Sequence, residues 1–250
     1  MIEPINERKV RDLNEKHVTE LEKEFIETPQ VFSVLIGHVI RPDATLESIQ
    51  KEGYPYIEIL GGNHTRQALQ NLSKRNKSIQ RVCIDVYKDL STTEAIMLGV
   101  QHNAKHEHSR HTTFEDLVKL FRRLHKDCQS KEVLPKKRAA LWRQEIANIM
   151  GMEGERAKNS FKTHMHVAAV DESLWKVLED FFQSWRLNKI SGKPRGDMKQ
   201  THIQPWTLCD KTIRQQLLRD VTDGNITFPK FKENCLKGYV SLQCMLYNIS

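Results

Sequence analysis

The apolar positions of the first hundred residues follow helical and strand periods in turn. Val18, Leu21 and Phe25 recur at helical spacing behind Asn14, which predicts a helix with an asparagine N-cap. The whole pattern predicts strands at 31–39, 54–60 and 82–87, and helices that begin near residues 15, 63 and 91. The second strand alternates enough to be half buried, and 41–53 is predicted to be a loop or insertion. The sequence therefore predicts an α+β domain that ends near residue 110.

From residue 112 onward the apolar period is helical throughout. The first such helix is marked by Phe114, Leu117, Val118, Phe121 and Leu124. Pro135 interrupts the pattern, and apolar-rich helical stretches follow at 167–185 and 213–221. The loop 191–200, which contains two glycines and a proline, is the best candidate for a linker. These features predict an all-α domain over 111–250.

Composition and charge narrow the class of protein. The chain has 250 residues, is 38% hydrophobic and has no apolar run of the roughly 20 residues that a membrane helix needs. Its N-terminus lacks the apolar stretch of a signal peptide, and its five cysteines are scattered, which predicts an intracellular location, cytoplasmic or nuclear. The formal charge of +7 suits a polyanionic partner such as nucleic acid, although proteins without such a partner also carry excesses of this size.

The segment 57–68 carries the main chemical signal, because a strand ends there in two glycines and a helix follows. Gly61 and Gly62 let the backbone approach a ligand closely. The start of the helix directs its N–H groups and positive dipole toward the same point, which suits a phosphate. His64 and Arg66 add further donors. The alternative is an ordinary strand–helix turn whose histidine and arginine face solvent.

This turn resembles the Gly-x-x-His/Arg-Arg element of the ParB and sulfiredoxin-like superfamily. The resemblance extends in both directions, over about residues 1–125. Its other segments are Ile5-Asn6-Glu7-Arg8, then Leu13, Val18 and Leu21, then Thr93-Glu94-Ala95, Gln101-His102-Asn103 and Phe114-Glu115-Asp116-Leu117. The resemblance implies a small domain with a mixed sheet over 1–110, followed by a helical domain over 111–250.

The resemblance also implies a nucleotide site. The phosphates would be bound by Gly61, Gly62, Asn63, His64, Thr65 and Arg66, with Arg8 and Asn103 completing the pocket. The implied ligand is a nucleoside triphosphate, ATP or CTP, with Mg²⁺ held mainly by the phosphates.

Two departures from the superfamily bear on activity. Sulfiredoxins use a cysteine in the Gly-Gly turn, and this sequence has Asn63 there, so sulfinic-acid repair is not expected. ParB proteins carry Glu-Asn-x-x-Arg after the helix, and only Asn103 is kept from it here, which weakens the case for CTP specificity and for a clamp-closing switch. A third branch, which phosphorylates free serine, has a similar turn with His before Arg. By that resemblance Glu7 would act as the carboxylate base and His64 as a second catalytic residue.

Histidines are densest just after this motif, at His102, His106, His108 and His111. The first two are four residues apart, which suits a metal site on one helix face. The group has no cysteine nearby and a single carboxylate, so a solvated polar connection is the better interpretation. A further alternative is that Asn103 and one imidazole approach the nucleotide.

Residues 140–167 are a candidate helix-turn-helix. The segment Arg143–Gly151 resembles the first helix and turn of that motif, because Ala147 and Gly151 permit close packing. The recognition helix would span 155–167. Its DNA contacts would be Arg156, Lys158, Asn159, Lys162 and His164. The alternative is a basic helix face that is merely solvated.

Three hypotheses follow from the sequence. The first is a ParB-like protein that binds a nucleotide in its N-terminal domain and DNA with its helical domain. The second is an ATP-dependent phosphotransferase or nucleotide hydrolase of the same superfamily, with Glu7 and His64 catalytic. The third is a degenerate member that binds protein partners. No membrane partner is expected, and a homodimer stays open as an assembly state.

Overall fold

A computed structural model describes residues 3–5, 7–28, 34–41, 43–45, 47–49, 57–75, 82–105, 112–130 and 134–247. The chain forms two compact units. The first comprises Met1–Thr112 and Lys126–Lys158, and the second comprises Thr113–His125 and Asn159–Ser250. The predicted α+β class is confirmed, because a small sheet is combined with many helices.

In the described part of the chain, the sheet of the first unit has three strands. They are β1 (Val34–Val39), β2 (Ile57–Gly61) and β3 (Cys83–Tyr87), in the order β2-β1-β3. The central strand β1 is antiparallel to β2 and parallel to β3, so the sheet is mixed. His38 and Glu58 lie opposite each other on β1 and β2. This register brings two titratable side chains together near the end of the sheet.

The helices up to residue 160 are α1 (Glu15–Glu27), α2 (Asn63–Lys74), α3 (Thr92–Lys105), α4 (Phe114–Ser130), α5 (Pro135–Met150) and α6 (Gly154–Ser160). The first three begin within one residue of their predicted starts. Asn14 caps α1 as predicted, because its side chain accepts a hydrogen bond from the His17 amide at 3.0 Å. The predicted interruption at Pro135 is confirmed, because α4 ends at Ser130 and Pro135 begins α5, at a position where proline's missing N–H is not needed.

Among the described residues, the core of the first unit includes a cluster between two helices and a cluster around the sheet. Between α1 and α2 lie Val18, Leu21, Phe25, Ala68, Leu69 and Leu72. Glu22 also joins these helices, since its carboxylate accepts from Asn71 at 2.6 Å and from Arg75 at 2.8 Å. The sheet cluster consists of Leu35, Val39, Ala44, Ile49, Ile57 and Ile59. The orientation of α2 is therefore set by apolar packing and a buried carboxylate.

The prediction that strand β2 is half buried is wrong. All five of its residues are buried, with Ile57 and Ile59 in the sheet cluster and Glu58 in a polar contact with Arg8. The error arises because the sequence does not show what covers the second face of a strand. In segment 41–53, predicted to be a loop or insertion, residues 47–49 are helical, and Ala44 and Ile49 contribute to the same cluster.

The second unit is helical around an aromatic core. After the first residues of α4 come α7 (Lys162–Ala168), α8 (Glu172–Arg186), α9 (Gln200–Ile203), a 3₁₀ helix (Gln204–Leu208), α10 (Lys211–Thr222) and α11 (Phe228–Tyr247). The buried aromatic residues include Trp175, Phe181, Phe182, Trp185, Trp206, Phe228 and Phe231. The loop 191–200, predicted as a linker, joins α8 to α9 within this unit.

The predicted continuous helix at 167–185 is interrupted at residues 169–171. Arg122 there donates to the backbone carbonyls of Ala168 and Val170, and to the Glu172 carboxylate at 2.7 Å. Asp171 then caps α8 by accepting from the Leu174 amide at 2.9 Å. A buried arginine from α4 thus fixes this break.

The predicted recognition helix at 155–167 is also interrupted. Helices α6 and α7 are separated at Phe161, whose ring is buried and lies 5.4 Å from that of Phe121. His164 does not face outward for DNA, because it is 7% exposed and its ring lies 4.5 Å from that of Phe114. The burial of Phe161 and His164 therefore outweighs the pattern of basic residues that predicted one continuous helix.

No helix among the described residues is both long and apolar enough to cross a membrane.

The buried His164 predicts a specific pH dependence of stability. Burial lowers its pKa from 6.5 to about 4, so between these values the unfolded chain binds more protons than the folded chain. The free energy of unfolding should therefore fall by about 2 kcal/mol for this residue as the pH decreases from about 7 to about 5. Urea unfolding at both pH values measures this fall in the free energy of unfolding. His164→Leu should abolish most of this decrease.

His166 provides a comparison on the same helix, because its residue is exposed whereas His164 is buried. Partial burial of its ring, followed by the charges of Lys162 and Arg214, also lowers the pKa of His166. His166→Gln should leave most of the pH-dependent loss in place. An equal pH dependence in the native chain and in His164→Leu would contradict the assignment.

Candidate functional site

The turn between β2 and α2 requires glycine at both of its positions. Gly62 has a φ of +85°, which L side chains rarely adopt, and a Cβ there would collide with the Leu35 side chain. Gly62 also provides the N-cap of α2, so that the helix begins at Asn63. A Cβ on Gly61 would lie 2.6 Å from Cγ of His102. Close packing therefore explains both glycines without a ligand.

His102 packs over this turn from α3. Its Nε2 lies 2.8 Å from the carbonyl oxygen of Val34 on β1, and the side chain is buried. Gly99, one turn earlier on α3, packs equally closely, because a Cβ there would lie 2.8 Å from the Leu60 carbonyl oxygen. These contacts fix α3 against the end of β2 and bring the next residue, Asn103, to the turn.

A small cleft opens where the start of α2 meets α3 and the N-terminal segment. It is lined by Val10, Arg11, Leu60, Gly62, Asn63, His64 and Asn103. The first hydrogen bond within α2 runs from the Arg66 amide to the Gly62 carbonyl at 2.9 Å, so the preceding amides do not take part in helix bonds. The cleft thus combines a helix N-terminus, an arginine and two amide side chains.

Arg11 is the arginine of this cleft, and sequence reasoning missed it. Its Nη2 donates to Oδ1 of Asn103 at 3.1 Å, and Asn103 is only 7% exposed. Since the two residues are far apart in the chain, no local pattern joins them. The proximity of Arg11 to the opening Asn/Arg segment is the one available signal.

His64 has a structural partner. Its Nε2 accepts a hydrogen bond from the Asn14 amide at 2.9 Å, and its ring meets His17 edge-on at 5.1 Å. This acceptor role requires an unprotonated Nε2, with the proton of the neutral ring on Nδ1. His64 therefore joins the start of α2 to the start of α1.

Arg66 does not line the cleft. It is 4% exposed, and its guanidinium donates to Asn63 Oδ1 at 3.2 Å and to Gln70 Oε1 at 2.8 Å. Burial lowers the pKa of this guanidinium, although arginine stays charged at neutral pH. Asn63 in turn donates to the Ile59 carbonyl at 2.7 Å. Arg66 orients Asn63, which does line the cleft.

Arg8 also has its partners elsewhere. Its Nη1 lies 2.7 Å from Oε2 of Glu58 and 3.0 Å from Nδ1 of His38. Glu58 is 1% exposed and accepts from the Ile5 amide at 2.9 Å as well. This buried cluster of Arg8, His38 and Glu58 attaches the N-terminal segment to the sheet.

The other candidate residues are distributed as follows. Glu7 is exposed on a turn, and Thr65 is partly buried near the start of α2. Of the histidine group, only His102 is described, and His106, His108 and His111 lie outside the described residues. The described residues contain no group of three or more His, Cys, Asp or Glu that could hold a metal. Arg156, Lys158, Asn159 and Lys162 are all exposed, the first two in the first unit and the others in the second.

Comparison with known proteins does not assign this chain to a family. The chain matches no model of a protein family and no curated protein.

Gly62→Ala tests the geometry of the turn. Gly151 is its matched control, because it has a φ of +61° but no atom within 4 Å of an added Cβ. Gly151→Ala should lower the free energy of unfolding by about 1 kcal/mol, from backbone strain alone. Gly62→Ala should cost about 2–4 kcal/mol, since overpacking against Leu35 is added to that strain. Urea unfolding compares the two, and equal losses would contradict the packing described here.

Proposed function

We propose that the cleft at the start of α2 binds the phosphates of a nucleoside triphosphate. The observation that carries this proposal is the convergence of Arg11, Asn63 and Asn103 on a helix N-terminus. A helix N-terminus favours anions through its N–H groups and its dipole. An arginine adds a fixed positive charge and several donors that match phosphate oxygens.

The proposal changes the roles that the sequence suggested. Asn63, Arg11 and Asn103 contact phosphate, together with the backbone of Gly62 and of the first α2 residues. Arg66 acts as a positioning residue for Asn63, and Arg8 supports the N-terminal segment that carries Arg11. Mg²⁺ would be held mainly by the phosphates, because the cleft's own side chains are amides, a guanidinium and an imidazole rather than carboxylates.

The resemblance to the ParB and sulfiredoxin-like superfamily belongs to this proposal. It is supported by a mixed sheet, by a strand–glycine–helix turn and by an asparagine that approaches that turn from a later helix. The choice between ATP and CTP is left to measurement, since the residues of the cleft contact phosphate rather than base.

A catalytic role has less support. His64 uses its Nε2 to accept from the Asn14 amide, so this nitrogen is not available as a general base without breaking that bond. Glu7 is exposed and does not line the cleft. Binding without phosphate transfer is therefore the preferred form of the proposal, and phosphotransfer or nucleotide hydrolysis is the alternative.

DNA binding is the second candidate function. The observation that favours it is the exposure of all four polar residues that the sequence selected at 156–162. Because α6 and α7 are interrupted at Phe161, these residues do not form one rigid recognition helix. They are better suited to phosphate contacts than to readout of base edges.

Asn103→Asp tests the nucleotide proposal directly. The substitution keeps the shape of the side chain but places a negative charge beside the phosphates and neutralises Arg11. Affinity for Mg·ATP, Mg·CTP or inorganic triphosphate, measured by calorimetric titration, should fall at least about tenfold, which corresponds to about 1.4 kcal/mol.

Asn148→Asp is the matched control, because Asn148 is exposed on α5 and accepts from Gln144 in the same way that an aspartate can. It should leave affinity unchanged. If Asn103→Asp binds each of the three ligands as tightly as the native chain does, the proposed site is wrong. Absence of binding to the native chain would also overturn the site. The second result would leave a ParB-shaped scaffold for protein partners.

A further inference from the structure

The loop between α8 and α9 presents a dense set of cations. Residues 189–199 contain Lys189, Lys193, Arg195 and Lys199, against Asp197 as the single acidic residue. His202 follows on α9, and Lys232 lies close enough on α11 to affect it. All of these belong to the second unit, and none lines the nucleotide cleft.

The loop has a fixed shape. The Trp185 indole donates to the Gly196 carbonyl at 3.1 Å, and the Phe228 amide donates to the Ser191 carbonyl at 2.8 Å. Gly192 has a φ of +72°, and a Cβ there would lie 2.9 Å from the Pro229 ring. Contacts with α8 and α11 therefore hold both halves of the loop, so that its charges are preorganised.

Trp185 also contacts His202 and one of the lysines. The His202 ring stacks on it with centroids 5.0 Å apart, and the Lys193 ammonium lies 4.8 Å from the ring centroid. Both groups are held next to the buried indole, at a distance where cation–π attraction fixes an ammonium. Lys193 is thus directed by packing, in contrast to the exposed Arg195 and Lys199.

Ion pairs with described residues do not neutralise these charges. Lys193, Lys199 and Lys232 make no ion pair with a described residue, and neither does Asp197. Glu233 lies next to Lys232 in the chain but is engaged by Lys230 at 3.0 Å and by Lys237 at 2.5 Å. Burial, followed by the charges of Lys232, Lys199 and Lys193, lowers the pKa of His202. The lysines therefore lie near enough to His202 for their positive charges to disfavour its protonation.

We propose that this cationic loop, with Lys193, Arg195, Lys199 and Lys232, is a surface that binds the phosphate backbone of duplex DNA. The proposal shares its class of partner with the second candidate function but rests on different residues and a different segment. An arginine and several lysines around a rigid turn match a row of phosphates, and their attraction does not depend on base sequence.

An anionic membrane is a less suitable partner. Membrane-surface binding needs exposed apolar side chains beside the basic ones. Here Ile190 and Met198 of the loop are 3% and 5% exposed, and Trp185 is buried as well. Leu187, at the start of the loop, is the one large apolar side chain exposed there, at 54%. A single exposed side chain is far less than the apolar face that membrane-surface binding uses.

The test is the salt dependence of binding to a duplex of mixed sequence, measured by fluorescence polarisation. The loop variant is Lys193→Gln, Arg195→Gln and Lys199→Gln in the full chain. It should bind about tenfold more weakly at about 0.1 M salt, and the negative slope of log K against log salt should become less steep by about 2 to 3. The control variant is Lys176→Gln, Lys211→Gln and Arg219→Gln, which removes the same charges from other exposed positions of the second unit. It should change affinity less than about twofold.

Further measurements separate this proposal from the others. Arg156→Gln with Lys162→Gln tests the second candidate function alone, and titration of the loop variant with Mg·ATP and Mg·CTP should show unchanged nucleotide affinity. Unfolding curves check the fold. If the loss of the Lys193 contact with Trp185 unfolds the triple variant, Arg195→Gln with Lys199→Gln removes two exposed charges without it.

Three results would overturn the proposal. The first is equal DNA affinity in the loop variant and the native chain. The second is an equal loss in the loop and control variants, which would mean that diffuse charge is sufficient. The third is unchanged DNA binding together with a loss of binding to vesicles of phosphatidylserine and phosphatidylcholine, which would identify a membrane as the partner.

Discussion

The candidate site depends on how tightly the β2–α2 turn is packed. Neither Gly61 nor Gly62 has room for a Cβ, because His102 occupies one position and Leu35 the other. This packing determines where α2 begins and brings α3, with Asn103, up to that point. A helix N-terminus whose N-cap residue has no side chain lets an anion approach its N–H groups. The same contacts that stabilise the turn therefore also create the cleft.

Two buried polar clusters support the N-terminal segment that closes one side of the cleft. Arg8 binds Glu58 and His38 at the sheet, and His64 accepts from the amide of Asn14 at the start of α1. Both lie within a few residues of Arg11. Buried charged groups of this kind need all of their partners, so loss of one partner destabilises the others. Residues that resemble ligands in the sequence thus act as supports for the residues that line the cleft.

Local signals in the sequence were sufficient for several elements. Asn14 with the apolar face of α1 was predicted correctly, as was the strand–glycine–helix turn. Asn103, predicted to complete a nucleotide pocket, lies beside that turn. The errors have one physical cause, which is contact between distant parts of the chain. Arg11 and Asn103 are 92 residues apart, and Arg8 and Glu58 are 50 apart, so no local period indicates either pair. The break between α6 and α7 likewise follows from the burial of Phe161, which helical periodicity does not reveal.

The central claim is that the start of α2 receives nucleotide phosphates. Backbone amide resonances report this most directly, because each amide of the turn is observed separately. Titration of the ¹⁵N-labelled chain with Mg·ATP, Mg·CTP and inorganic triphosphate should shift the amides of residues 62–66 and of Asn103 most, with smaller changes in the second unit. The triphosphate should reproduce the changes at the turn. Saturating ligand that leaves these amides unshifted, or that shifts only amides remote from the turn, would contradict the account.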